Sequence, residues 1–493
     1  MLPKNLKYGS KVESAMARSS RVNVAPQNGT SGYNLGDTII INIPTRNNLV
    51  LVPTESYLKF NLRVTAGTAG QAIRWDSCGA HGLISRIRVF HASSLLSDVD
   101  QYGLLAKILF DLQQPTDSTQ GKQSLLSGTR SDTVLMTPTV AAVGNNQVAD
   151  INTLVTGFSA KPIPTFNANS GERLGGAGTA VTAAADLIPA AGSPAETYCL
   201  NLISLVGSLC SSNYFPLFAC TSAPLRVEIT LVDNMNKAAG CMSGPSGAII
   251  MSNVEYVGNF IELGDSAMQT IYGSLGNEPL QFCVPDFRNY AFNAQLAQNT
   301  ATQIAMPIPA KFSSLKAIVV AARDKGLGAN QFFPFSCGTQ GITSYNFRVG
   351  AQVFPPKEPN TLCEMYAEVL KAFGSIADLN YQPSIDRRSY TGLLNNATAN
   401  INTLSNVSLQ YTGDAEGVVS GISSGSFYVG IDLESYAAAS KDTIFAGYNS
   451  NTDDIFFMGN FTTAGATAQV RFDAFANFDS VIVCENGTCY VKY

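Results

Sequence analysis

One strand–turn–helix pattern occurs twice in this chain, and a duplicated unit restricts the fold more tightly than any single motif. Residues 85–113 read SRIRVFHASSLLSDVDQYGLLAKILFDLQ: an alternating run through Ile84, Arg86, Arg88 and Phe90, a polar turn, then a helical pattern. Residues 345–376, YNFRVGAQVFPPKEPNTLCEMYAEVLKAFGSI, repeat that order. At an offset of 264 (361 − 97), Ser97 falls on Thr361, Asp100 on Glu364, Tyr102 on Tyr366 and Lys107 on Lys371. In each copy a hydroxyl residue precedes an acid by three positions. At that spacing the two side chains satisfy free backbone N–H groups at a helix start. Both helices are therefore expected to open on a capping box, with Tyr102 and Lys107 as packing and helix-surface residues. The offset is close to half of the 493 residues, which points to two tandem halves built alike.

The rest of the chain reads as short strands. In Tyr57–Val64, Leu58, Phe60, Leu62 and Val64 alternate with Tyr57, Lys59, Asn61 and Arg63, the period of a strand with one face on a core. Similar runs are Thr38–Ile43, Leu49–Val52, Tyr198–Leu209, Leu225–Val232 and Ala248–Leu263 in the first half. Leu315–Ala321, Phe427–Leu433, Ile455–Phe461, Thr467–Phe475 and a terminal hairpin over 480–493 follow in the second. Only two helices carry an apolar stripe; in the second, Leu362, Met365, Tyr366, Val369, Leu370, Phe373 and Ile376 hold the 3.6-residue period. The pattern is all-β, two tandem jelly-roll sandwiches each with a flanking helix. The expected division is an arm over 1–25, a first barrel over 26–264, a connector over 265–280 and a second barrel over 281–493. Polar, Gly- and Ala-rich stretches at about 115–194 and 377–424 read as long surface insertions.

Charge is unevenly placed. Lys4, Lys7, Lys11, Arg18 and Arg21 against Glu13 give residues 1–25 a net +4, which leaves −9 for the remainder of a chain whose total is −5. A basic arm on an acidic body suits nucleic acid, a membrane surface or a partner groove, and equally a solvated terminus. The start of the chain lacks the apolar core of a secretory signal, and no run reaches the roughly 18 apolar residues of a membrane span. Synthesis in a cytosol-like compartment is expected.

Catalytic patterns are missing, so no catalytic, cofactor-binding or metal-binding residues are expected. His81 and His91 are the two histidines, neither with a cysteine or carboxylate at ligand spacing, and both read as ordinary polar or half-buried residues. Gly175-Gly176-Ala177-Gly178 lacks the strand and the Gly-Lys-Ser/Thr ending of a phosphate loop. Asp453-Asp454 and Asp386-Arg387-Arg388 lack calcium-loop spacing. Trp75 is the single tryptophan, which speaks against a stacking platform for single-stranded nucleic acid. Glycosylation sequons stand at Asn28, Asn396, Asn406, Asn460 and Asn486, where abundant Asn and Thr account for them equally well. Ten cysteines are scattered without a CxxC. One pair differs: Asn486-Gly487 is a strong two-residue hairpin signal, and it places Cys484 opposite Cys489 at a cross-strand distance a disulfide can span. A bridge is open there; two reduced thiols are what a cytosol favours.

Three segments resemble a known family. VFHASSLLSDVDQYGLLAKIL (89–109) is similar to the strand leading into a helix in the first barrel of the double-jelly-roll major capsid proteins. NFRVGAQVFPPKEPNTLCEMYAEVLKAF (346–373) is similar to its second-barrel counterpart, and FDAFANFDSVIVCENG (472–487) to the terminal strands. That lineage includes adenovirus hexon, the large algal DNA viruses, and the virophage and polinton-like viruses. The resemblance implies a non-enzymatic shell protein that forms homotrimers of six barrels, pseudo-hexagonal blocks tiling the icosahedral capsid of a double-stranded DNA virus. It further implies capsomer–capsomer contacts, penton and minor capsid proteins as partners, and an arm facing an internal membrane or the genome. Two other classes fit the pattern less well. A β-sandwich adhesin or carbohydrate-binding protein calls for a secreted context, and a jelly-roll carbohydrate-active enzyme calls for an aromatic cleft with converging carboxylates.

Overall fold

Leu225, Val227, Ile229 and Leu231 are buried while Arg226, Glu228 and Thr230 are half-buried, the two-residue period of a strand with one face on a core. The computed structural model describes residues 17–64, 73–75, 78–128, 138–141, 145–148, 196–210, 214–241, 249–276, 278–297, 299–324, 335–378, 380–385, 389–390, 425–435, 446–462 and 468–493. The first half contains β1 (Ala17–Val24), β2 (Thr38–Ile43), β3 (Leu49–Val64), β4 (Ile84–His91), β5 (Ser94–Asp100), β6 (Glu196–Leu200), β7 (Leu225–Leu231) and β8 (Ile249–Leu263). The second contains β9 (Leu280–Leu296), β10 (Ala301–Ile308), β11 (Leu315–Asp324), β12 (Ile342–Val349), β13 (Gln352–Phe354), β14 (Tyr428–Asp432), β15 (Ile455–Thr462) and β16 (Ala468–Glu485), with β17 (Thr488–Lys492) at the end. Helix α1 (Tyr102–Gln113) follows β5, α2 (Asp265–Leu275) joins the halves, and α3 (Leu362–Phe373) follows β13.

The sheets show the duplication directly. In the first half the strand orders are β1-β8-β3-β6 and β2-β7-β4-β5; in the second they are β9-β16-β11-β14 and β10-β15-β12-β13, with β17 added to β16. Each strand of the second half carries a label eight higher than its counterpart. The helix falls at the same place in both, between the fifth strand and the sixth. These strand pairings are all antiparallel. Two eight-stranded sandwiches in tandem are a double jelly roll.

The repeat is real, but its register differs from the sequence alignment. The starts of β4 and β12 are 258 apart (342 − 84), those of β5 and β13 likewise (352 − 94), and those of α1 and α3 are 260 apart (362 − 102), not 264. Only the second capping box forms. Thr361 Oγ1 accepts from the Glu364 N–H at 3.3 Å, and the Glu364 carboxylate accepts from the Asn360 N–H at 3.2 Å. In the first copy Ser97 and Asp100 lie in β5, and α1 starts after Gln101, whose φ of 51° is left-handed and whose side chain makes no cap bond. Helix α1 does without the cap because Tyr102 to Leu112 are all buried, so tertiary packing carries it.

Three more expectations change. The arm ends earlier: Ala17–Val24 pairs along β8 from Leu263 to Tyr256, which makes Arg18 and Arg21 part of a barrel edge. The 265–280 connector contains a helix that the sequence reading did not include: α2 buries Met268 against Val50 and Phe218 and stops at Gly276 (φ 60°). The strand expected over 198–209 ends at Leu200 and gives way to a short turn helix at Ser208–Cys210. Of the insertion at 115–194, the structure describes short helices at Thr116–Gln120 and Lys122–Leu126 and a pairing of Pro138–Ala141 with Asn145–Val148. Residues 129–137, 142–144 and 149–194 lie outside the described residues, the Gly175–Gly178 cluster among them, as do residues 386–388 and 391–424 of the second insertion.

One core fills each sandwich, but the first does not stop at the first half. Val284, Phe287, Val369, Tyr428, Phe475 and Ile482 belong to the same buried cluster as Ile41, Phe60, Val89 and Val227. Replacing Thr361 by Ala removes the one formed cap, so it should cost about 1 kcal/mol of stability. Chemical denaturation midpoints check this, with Cys363→Ala on the exposed face of α3 as the control expected to change little.

Candidate functional site at the junction between the barrels

Charged residues are buried where the halves meet. Lys107 sits in the middle of α1 with its side chain fully enclosed. Its ammonium lies 2.6 Å from Asp111 Oδ2 one turn on and 2.8 Å from Ser426 Oγ in the second half. The ammonium also lies 5.8 Å from the centre of the Tyr428 ring, and the Tyr428 hydroxyl donates to the same Asp111 oxygen at 2.7 Å. The main-chain carbonyl of Asp111 accepts from the Ser384 N–H at 2.9 Å. Lys107 is therefore an interior residue and not the helix-surface residue that its sequence position suggests. An ammonium away from water must be paired, and two of its partners come from the other barrel.

Two further contacts repeat the arrangement. Arg323 of β11 reaches Asp473 Oδ2 at 2.7 Å and Gln101 Oε1 at 3.3 Å, so it ties its own barrel to the residue that starts α1. Burial by itself would raise the Asp473 pKa; the guanidinium groups of Arg323 and Arg471 outweigh it and hold the carboxyl below the ordinary carboxylate value. Ser97 of β5 donates to Asp286 Oδ1 of β9 at 3.2 Å, and the Phe287 N–H donates to the same oxygen at 2.8 Å. Burial outweighs these two hydrogen bonds and the nearby charge of Arg288, so the Asp286 pKa is pushed up to about 7.

Both histidines are buried, not half-buried. His81 Nδ1 meets the Tyr102 hydroxyl at 2.9 Å, and that hydroxyl also accepts from the Ile203 N–H at 3.0 Å, so the pair pins the turn after β6 to the start of α1. Burial lowers the His81 pKa to about 3, which leaves the ring neutral at physiological pH. His91 lies under the terminal hairpin, where its Nδ1 accepts from the Cys489 N–H at 3.1 Å. In that hairpin Asn486 (φ 51°) and Gly487 (φ 76°) are both left-handed, and Cys484 pairs with Cys489. The two Cα atoms are 4.2 Å apart and the sulfurs are joined.

The remaining expected residues are scattered. Arg18 and Arg21 are exposed on β1, Arg21 stacking 5.7 Å above the Tyr57 ring, while Lys4, Lys7 and Lys11 lie outside the described residues. The Asn28 side chain is engaged by Thr38 and Ile40, and Asn460 donates to Ser344; Asn486 is exposed at the hairpin tip. Asn396 and Asn406 lie outside the described residues. Asp454 takes an ion pair from Lys311, and Asp453 accepts from the Tyr448 hydroxyl. Among the described residues no helix is long and apolar enough to cross a membrane. The junction residues that sequence reasoning missed did leave a trace: Lys107 and Asp111 are charges spaced i, i+4 inside an otherwise apolar helix, and Asp473 stands alone in the aromatic run FDAFANF.

No protein-family model and no curated protein matches the chain. Solved structures do match over nearly its whole length. PBCV-1 VP54, fitted into a reconstruction of the virophage Sputnik, aligns with a TM-score of 0.57 at 9% identity, covering 99% of this chain and 100% of that one. The Faustovirus major capsid protein aligns at 0.54 and 8%, covering 97% and 93%, and the mavirus major capsid protein at 0.51 and 11%, covering 99% and 92%. At these identities the likeness is one of fold. The chain has the two-barrel architecture found in those capsid proteins, as its sheet orders show independently.

Two substitutions test the junction. Lys107→Met leaves Asp111 buried without its cation and should lower stability by about 3–5 kcal/mol, whereas Lys107→Met with Asp111→Leu should recover much of the loss. Denaturation midpoints of the two variants decide it. Asp286 gives a pH signature. Its folded-state pKa is raised from 3.8 to about 7, so its contribution is fully present below the unfolded value and is lost as pH rises through about 7. Asp286→Asn should therefore gain thermal stability relative to the parent chain at pH 8, and the advantage should shrink towards pH 4.

Proposed function

We propose that the chain is the major capsid protein of an icosahedral double-stranded DNA virus. The observation that carries this is the strand-for-strand repetition of one sandwich, with the two copies joined into a single block by hydrogen bonds from buried charged residues. Three such chains supply six similar barrels, enough to build a pseudo-hexagonal unit that packs into flat facets. A threefold ring requires heterologous contacts, one face of a subunit against a different face of the next. The fold shared with PBCV-1 VP54 and the mavirus and Faustovirus major capsid proteins supports the same reading.

In this account the role is mechanical, not catalytic, and the protein resides in the virion after synthesis in the host cytosol. Its first partner is itself, in trimers and then between capsomers; penton and minor capsid proteins occupy the gaps. The insertions at 115–194 and 377–424 supply outward towers or intersubunit loops. The basic segment, with Lys4, Lys7 and Lys11 ahead of β1, faces inward toward a membrane or the genome.

Native mass and negative-stain images of the purified protein test the assembly. A particle of three times 52.3 kDa with a hexagonal outline is expected, and a monomer with a cleft would reject the reading. Deleting residues 1–16 should leave the trimer intact, because β1 starts at Ala17, and should reduce what the assembled shell retains inside. Normal particle content after that deletion would reject the inward-facing arm.

A further inference from the structure

Three sulfurs meet at the junction, and only two of them belong to the hairpin. Cys220 follows the short turn Leu217–Ala219 of the first barrel, and its sulfur lies 2.7 Å from that of Cys489. The sulfurs of Cys220, Cys484 and Cys489 all fall within 4.8 Å of one another, and all three residues are buried. Neighbouring groups hold them together. His91 Nδ1 accepts from the Cys489 N–H at 3.1 Å, so that nitrogen carries no proton and Nε2 does, 3.3 Å from the Cys220 carbonyl. One imidazole therefore clamps the backbones of two cysteines from opposite barrels. The Ser222 N–H donates to the Gly487 carbonyl at 3.1 Å and docks the hairpin tip. Gly487 allows this approach: its φ is 76°, and a Cβ there would lie 2.9 Å from Thr221 Oγ1.

We propose that Cys220, Cys484 and Cys489 form a thiol–disulfide exchange site in which Cys489 bonds either Cys484 within the hairpin or Cys220 across the junction. In the exchange, Cys220 loses its proton and its thiolate attacks the Cys489 sulfur. The Cys484–Cys489 bond breaks, and Cys484 leaves as a thiolate that takes up a proton. One disulfide and one thiol are consumed and one of each is formed, so no added oxidant enters the step. The two pairings have different consequences. The hairpin bond spans five residues of sequence, whereas the alternative spans 269 and fastens one barrel covalently to the other. Burial pushes the Cys220 thiol up to about 12, which keeps the resting thiolate fraction small and makes the exchange slow until the hairpin loosens. Both ring nitrogens of His91 are already engaged, so the ring is not available as a fourth ligand that would turn the three sulfurs into a zinc site.

The experiment uses the full chain equilibrated in glutathione redox buffer, quenched with acid, alkylated and examined by peptide mass mapping and non-reducing gel electrophoresis. The parent chain should yield the peptide pair linked through Cys220 and Cys489 together with the hairpin-bonded peptide. Cys484→Ser should convert wholly to the Cys220–Cys489 link and migrate faster than its reduced form, because the closed loop compacts the denatured chain. Cys220→Ser should show the hairpin bond alone and no mobility shift. Free thiols at both Cys220 and Cys489 in a folded Cys484→Ser chain would overturn the proposal. So would one equivalent of zinc held by the reduced parent chain and lost in Cys220→Ser.

Discussion

The ammonium of Lys107 has no water to turn to, and that constraint organises the contact between the barrels. Its partners are Asp111 on the same helix and Ser426 and the Tyr428 ring from the other half. Asp111 pairs the cation from its own helix, and Ser426 and Tyr428 complete the set, so α1 is fully satisfied in its buried position only with β14 and the residues before it in place. The apolar packing follows the same route. Val369 of α3, Tyr428 of β14 and Phe475 of β16 complete a core that begins in the first barrel. The two sandwiches behave as one body because the second finishes the interior of the first.

A junction built from charges is an unusual choice on energetic grounds. An apolar joint of similar volume is often as stable as a buried ion pair or more so. Apolar surfaces, however, tolerate sliding and rotation, whereas the contacts of Arg323 with Gln101, of Lys107 with Ser426 and of Ser97 with Asp286 hold only at one relative setting. In this chain those contacts set one barrel at a fixed angle to the other. The polar residues of the junction are best understood as fixing that angle.

Much of this architecture was legible in the chain. Alternation in Leu225–Leu231 and Tyr57–Val64 marked strands, Asn486-Gly487 marked the terminal hairpin, and the doubled strand–turn–helix unit marked the duplication. What misled was local chemistry overruled by burial. Ser97 and Asp100 have capping-box spacing, yet they sit in a strand because α1 gains more from enclosure than from a cap. Lys107 looks like a solvated helix residue because its partners Ser426 and Tyr428 lie more than 300 positions away, and no local pattern encodes such a contact. The end of the basic arm was missed for a related reason: Arg18 and Arg21 face solvent from a strand whose pairing with β8 spans most of the first half.

Hydrogen exchange by mass spectrometry on the intact native chain tests most directly whether the barrels form one body. The amides of α1, β14 and the inner strand β16 should exchange as a single slowest set, and Lys107→Met should speed all three together. Exchange of β14 and β16 that stays at the parent rate while α1 opens in the variant would contradict the account, because the barrels would then be independent domains that merely touch.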